Sequence, residues 1–289
     1  MTAALRNSDE YRPVGTYEPI TPESAREYLD GIAAFLGGAA NVIMQLSHKP
    51  VGYGVMESDV DSGKVTLHPI KRLRTTLTYL AVAWLGDEND RKDYREAVNT
   101  SHRSIRTKPG SPVKYNAFDP NLQLWVAACL YWGVDDLLLR MRGPMDPEAA
   151  EAFYQYSSRL GTTLQMREEM WPVSRDAFYA YWEEHLATRE IDAATRQYFN
   201  DLADLKMLPL PLQLLLGGLH RFIVTALLPQ HLRDQMNMSW SARDERAFTF
   251  LLRLISAVWT RMPTTIRLFP FNFYLADMRL RRRLGRPLV

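Results

Sequence analysis

The stretch AVNTSHRSIR, residues 97–106, sets one histidine, His102, among residues that otherwise read as helix. At 100° per residue, Tyr94, Ala97, Val98, Ser101 and Ile105 form an apolar arc, while Lys92, Arg95, Glu96, Asn99, Arg103 and Arg106 point away from it. His102 falls at the margin of that arc, within reach of the interior. An imidazole there can be a packed structural residue, a surface residue or a metal ligand, and spacing alone does not choose among them. Other chemistry is easier to exclude. The chain has no GxSxG elbow, GxxxxGK[ST] loop, CxxC pair or HExxH, and Gly52-Tyr53-Gly54 lacks the third glycine of a dinucleotide fingerprint. The paired Glu-x-x-His motifs of a di-iron bundle are also absent. Glu183, Glu184 and His185 are adjacent and so face different ways; with Glu168 and Glu169 they read as solvated surface. Cys129, inside WVAACLYW with no basic residue within two turns, reads as a small buried hydrophobe and not as a thiolate ligand.

The elements that would position these residues are helices. Thr21-Pro22-Glu23 has a capping residue, a proline at the first helical position and an acid in the first turn, which predicts a helix running to about Ser47. Residues 48–69, broken by Gly52, Gly54 and Gly63, predict an irregular stretch or a short hairpin. Helical spacing resumes at Pro69 and ends near Gly86, and a charged helix follows over about 89–106. Asp119-Pro120 repeats the cap-plus-proline start, and the helix behind it is apolar all round in its first half, which places it in the middle of the fold. Further helices are expected over 147–160, 174–187, 192–205, 211–228, from Ser241, with Asp244 as capping-box partner, to about Arg261, and over 270–284. The greasy run Leu208–Leu228 is interrupted by His220 and Arg221 and is read as a buried helix. The arginines at 279, 281, 282, 283 and 286 either complement the dipole of the last helix or touch an anionic membrane surface.

The chain of 289 residues is 46% apolar, enough for a substantial core, and 35 basic against 33 acidic residues leave a net charge of +2. So even a balance gives no field for nucleic acid over the whole surface. A single cysteine cannot form an internal disulfide, and the first residues carry neither a basic-then-apolar leader nor twin arginines, so a cytoplasmic location is expected. Nothing repeats at a fixed period. The expected architecture is all-α: residues 1–20 as an extension, and 21–289 as one large domain of about eight to ten helices with at most one hairpin.

The segments RLRTTLTYLAVAWLGDEND, His102 about one helix later, YNAFDPNLQLWVAACLY and LGTTLQMREEMWP, in that order and spacing, resemble the MpaB-type oxygenase family, which includes the rubber-cleaving latex clearing proteins. The resemblance covers roughly residues 25–285 and implies an all-α domain holding one haem b, with His102 at the position of the proximal iron ligand. A second ring nitrogen bonded to a carbonyl or carboxylate would then fix the tautomer. In latex clearing proteins an arginine, then a lysine and a threonine, stand on the distal side, and Arg72, Thr75 and Thr76 match those positions. Thr75 replaces the lysine. By resemblance Arg72 would serve a haem propionate or developing negative charge, Thr76 would donate to bound oxygen, and Glu57 is the nearest match to a proposed base. The implied partners are dioxygen and an apolar, alkene-bearing small molecule. Trp125, Trp132, Met166 and Trp171 either line its pocket or belong to the core. The alternative is an all-helical binder of a hydrophobic molecule or partner helix, without catalysis.

Overall fold

The computed structural model describes residues 18–60 and 64–289, so most of the expected N-terminal extension and Gly63 lie outside the described residues. The fold is all-α, with more helical segments than the eight to ten expected: α1 (Gly31–Leu46), α2 (Lys49–Met56), α3 (Pro69–Leu85), α4 (Glu88–His102), α5 (Pro120–Arg142), α6 (Pro147–Tyr156), α7 (Arg159–Thr162), α8 (Arg175–Ala187), α9 (Ala193–Ala203), α10 (Leu210–Leu227), α11 (Gln230–Gln235), α12 (Ala242–Trp259), α13 (Thr264–Arg267) and α14 (Phe271–Arg283). Among the described residues there is no strand, only one isolated antiparallel bridge, Arg106 to Asn116.

The strong start signals hold. Asp119 Oδ1 accepts from the Asn121 amide at 2.8 Å ahead of Pro120, and Ser241 and Asp244 form the reciprocal capping box of α12. The first helix does not run from Thr21. A short 3-10 turn, Ser24–Glu27, is followed by Asp30 in extended conformation, and α1 begins at Gly31. Gly31 sits where a Cβ would lie 1.8 Å from the Phe269 carbonyl oxygen, so contact with the far end of the chain sets this boundary. The first part of the segment expected to be irregular forms α2, while residues 57–60 and 64–68 carry no regular structure, as expected. The glycines of α2 serve close packing: a Cβ at Gly52 would stand 2.5 Å from the Leu46 carbonyl oxygen, and one at Gly54 3.3 Å from the Tyr115 ring.

The middle of the fold is α5, as its all-round apolar pattern requires. Trp125, Ala128, Cys129 and Tyr131 are shielded from water, and burial pushes the Cys129 thiol up, so it stays protonated. Helix α1 lies along α5, where the Asn41 side-chain amide donates to the Cys129 carbonyl at 2.6 Å. Trp182 stacks on Trp125 and Trp132 at 5.2 and 5.0 Å, and Trp171 stacks on Tyr154 at 5.3 Å. Trp125, Trp132, Met166 and Trp171 are accordingly buried core residues. Glu168, Glu169, Glu183 and Glu184 are exposed, as read.

Buried carboxylates tie distant segments together. Asp30 takes Arg142 at 2.6 Å and Arg267 at 2.9 Å, joining the start of α1 to the ends of α5 and α13. Asp90 closes the capping box of α4 with Asp87 and also receives Arg279 at 2.6 Å and Arg282 at 3.0 Å from α14. Arg281 pairs with Asp277 within α14, so two of the five arginines of the terminal run, Arg279 and Arg282, hold α14 against α4. Helix α10 departs from its reading as a buried helix. By length and composition α5 and α10 could each cross a membrane, but 72% of the α5 window and only 28% of the α10 window are buried inside the fold. Leu210, Leu214 and Leu215 stand in solvent, because the apolar run supplies no information on whether a neighbour will cover it.

Candidate haem-binding site

His102 is the last residue of α4, and α4 is held along its length. The capping box and Asp90 fix its first turn. In the middle, Tyr94 donates from its hydroxyl to the Thr75 carbonyl of α3 at 2.8 Å. Arg91 reaches the hydroxyls of Thr162 and Thr163 at 3.0 Å each, while Arg95 donates to their two carbonyls at 2.8 Å. Asn99 accepts from Gln165 at 2.6 Å, and Gln165 is bonded in turn to Gln123 at the start of α5. Arg95 and Asn99, placed on the outer side by helical periodicity, therefore point at the turn 162–165, which offers carbonyls and an amide to long polar side chains. The stretch LGTTLQ acts as a cradle for the helix that carries His102.

The His102 ring is half-buried, edge-on to Phe118 at 6.4 Å between centroids. Its Nδ1 is buried with no hydrogen-bond partner, so the carbonyl or carboxylate expected to fix the tautomer is not there among the described residues. Burial, and secondarily the Arg72 charge, lower its pKa to about 4, overriding the preference of a helix C-terminus for an imidazolium. The ring is thus neutral at physiological pH, the form that can ligate a metal.

Arg72, Leu73 and Thr76 share a face of α3, by their spacing of three and four residues. Arg72 is accessible at its surface, yet the protein around it desolvates the guanidinium enough to lower its pKa. The neighbours that oppose this shift are the phenols of Tyr198 and Tyr94, and no carboxylate pairs with Arg72 among the described residues. Leu73 beside it is 45% exposed, and Thr76 is half-buried. The Thr75 hydroxyl donates back to the Arg72 carbonyl at 3.0 Å, within its own helix. Glu57 caps the end of α2 and accepts the Tyr115 hydroxyl at 2.7 Å. The structure thus couples His102 to Arg72. Glu57 makes its contacts with Tyr115, beside the segment that follows His102, where Gly54 lets α2 approach Ile105. Tyr94, Tyr198 and Phe118 belong to the site and were not singled out by sequence; only Tyr94, on the apolar arc of α4, carried a signal.

Among the described residues no group of three or more His, Cys, Asp or Glu side chains could hold a bare metal ion. A haem brings four donors of its own and asks the protein for an axial base and for cations to meet its propionates. A neutral imidazole with an orphaned ring nitrogen and an arginine without a carboxylate meet those two requirements.

The fold is all helical, and the Arg72 charge reaches the neutral His102 imidazole across the space between α3 and α4. The chain is a member of the family described as the catalytic domain of the ER-bound oxygenases mpaB and B' and rubber oxygenase, which matches residues 25–257. It is 47% identical over 251 residues to uncharacterized proteins of Mycobacterium bovis and Mycobacterium tuberculosis, covering 87% of this chain and 98% of each of theirs. No solved structure matches it. The family makes the chain an oxygenase, hence an oxidoreductase, and agrees with the resemblance seen in its motifs.

Proposed function

We propose that the chain is a haem b-dependent oxygenase that uses dioxygen on an apolar, alkene-bearing small molecule, with oxidative cleavage of the double bond as one outcome open to it. The observation that carries this reading is the neutral His102 imidazole with an unpartnered buried nitrogen, next to an arginine that lacks a carboxylate. His102 would hold the haem iron through its neutral imidazole, and Arg72 would meet a propionate or stabilise developing negative charge. When bound, the haem supplies the redox chemistry of oxygen activation.

The chain's own residues do the rest. Helix α4, clamped at Arg91, Arg95 and Asn99, keeps the imidazole from turning away. Thr76, one turn beyond Arg72, offers a hydroxyl proton toward the same face of α3. Thr75, which stands where latex clearing proteins have a lysine, spends its hydroxyl on its own helix and would bring no cation to the bound group. Tyr94 and Tyr198, whose phenols burial keeps protonated, can orient but not ionise. Leu73 and the 78%-exposed Ile70 give the flank beside Arg72 an apolar character suited to an alkene. Glu57 enters by fixing Tyr115 beside the chain that follows His102.

The test is an absorption spectrum of the purified protein with a pyridine haemochrome assay, beside His102→Ala. A Soret band in the wild type that is lost from a folded variant is expected. Full haem content in folded His102→Ala would overturn the assignment.

A further inference from the structure

The charge of the chain is concentrated at one end of the sequence. From Arg246 to Val289 there are nine arginines, no lysine and a single acid, Asp277, although the whole chain carries only +2. Four of the nine are consumed inside the fold: Arg267 on Asp30, Arg279 and Arg282 on Asp90, and Arg281 on Asp277. The other five, Arg246, Arg253, Arg261, Arg283 and Arg286, are exposed and have no acidic partner among the described residues.

Between them runs an apolar band. On the outer face of α12, Phe250, Leu254 and Val258 follow at intervals of four and are 63, 52 and 58% exposed. Arg246 and Arg253 flank them one turn to either side of Phe250, and Arg261 follows three residues after Val258. Ile266, Phe269 and Phe273 continue the band, and together with Trp259 they line a shallow cleft joining the end of α12 to the start of α14. Leu280 and Leu284, on either side of Arg283 along the end of α14, are 54 and 56% exposed. Exposed apolar side chains grouped along neighbouring elements and rimmed by unpaired cations mark an interaction surface.

We infer that this face, made by the outer sides of α12, α13 and α14, rests on an anionic lipid surface, with the aromatic and aliphatic side chains entering the headgroup boundary and the five guanidinia meeting lipid phosphates. The chemistry selects this occupant over two others. A second copy docked by a two-fold axis would oppose two sets of unpaired arginines with no acid to receive them. A nucleic acid would engage the arginines but leave Phe250, Leu254, Phe269 and Phe273 in water. A lipid interface satisfies both sets of groups. This inference does not depend on the haem reading.

The experiment is flotation of the full-length chain with vesicles of phosphatidylcholine alone and of phosphatidylcholine doped with phosphatidylglycerol, at low and high salt. The wild type is expected to float with the anionic vesicles and not with the neutral ones. Arg246→Gln and Arg253→Gln remove no internal ion pair, and each is expected to weaken binding about fivefold. Phe250→Ser with Leu254→Ser is expected to abolish it; far-UV circular dichroism and the melting temperature show that each variant is folded. Three outcomes would overturn the inference: no flotation, equal binding to neutral and anionic vesicles, or retention of binding by the folded serine variant. So would light scattering showing a dimer that the serine variant converts to monomer.

Discussion

The proton on His102 gives the most direct test of how its surroundings are built. Burial and Arg72 lower its folded pKa to about 4, against the model-peptide value of 6.5. The unfolded chain therefore takes up the proton first as pH falls. Stability is full above pH 6.5, declines below it, and stops declining below about pH 4. The loss between pH 8 and pH 5 follows from the two pKa values and comes to about 2 kcal/mol for this one group. His48 is lowered to about 4 as well, by burial and then by Arg189, so the wild-type curve alone would mix the two. The informative quantity is the difference between wild type and His102→Gln, measured on haem-free protein by urea unfolding across that pH range. The wild type should lose about 2 kcal/mol more than the variant. Parallel curves would mean that the imidazole is as hydrated in the folded protein as in the unfolded one, and the reasoning about the site would fail.

Other consequences follow from the supports of the site. Arg95→Ala removes two charge-assisted hydrogen bonds from the cradle carbonyls of Thr162 and Thr163. It should cost about 2–3 kcal/mol in urea unfolding and lower haem content in proportion, and an unchanged unfolding midpoint would refute the clamp. Asp30→Ala leaves Arg142 and Arg267 facing a vacated buried site and should destabilise by about 3–5 kcal/mol. Pairing it with Arg267→Ala in a double-mutant cycle should show coupling, whereas additive losses would argue against an ion pair.

The sequence by itself determined what depends on neighbours within a turn or two. The all-α class follows from spacing of three and four residues, and the limits of α5 and α12 from the Asp119-Pro120 start and the Ser241–Asp244 box. The same local pattern put Cys129 in the core and brought His102 to the edge of the interior, and the motif order pointed to the family. Only the tertiary structure decided the rest. Glycines at 52 and 54 look like helix breakers until Leu46 and Tyr115 arrive to need the space of a missing Cβ. Arg95 and Asn99 look solvent-facing until the turn at 162–165, some seventy residues away, presents unpaired acceptors and a donor. Helix α10 reads as buried, although among the described residues no neighbour covers Leu210, Leu214 or Leu215 in its first turns. The same holds for the state of His102: a histidine's charge is set by how much water and which charges surround it, and Arg72 and Phe118 come to it from other segments of the chain. Periodicity encodes which side of a helix prefers to leave water, whereas what meets that side is fixed only when distant segments pack.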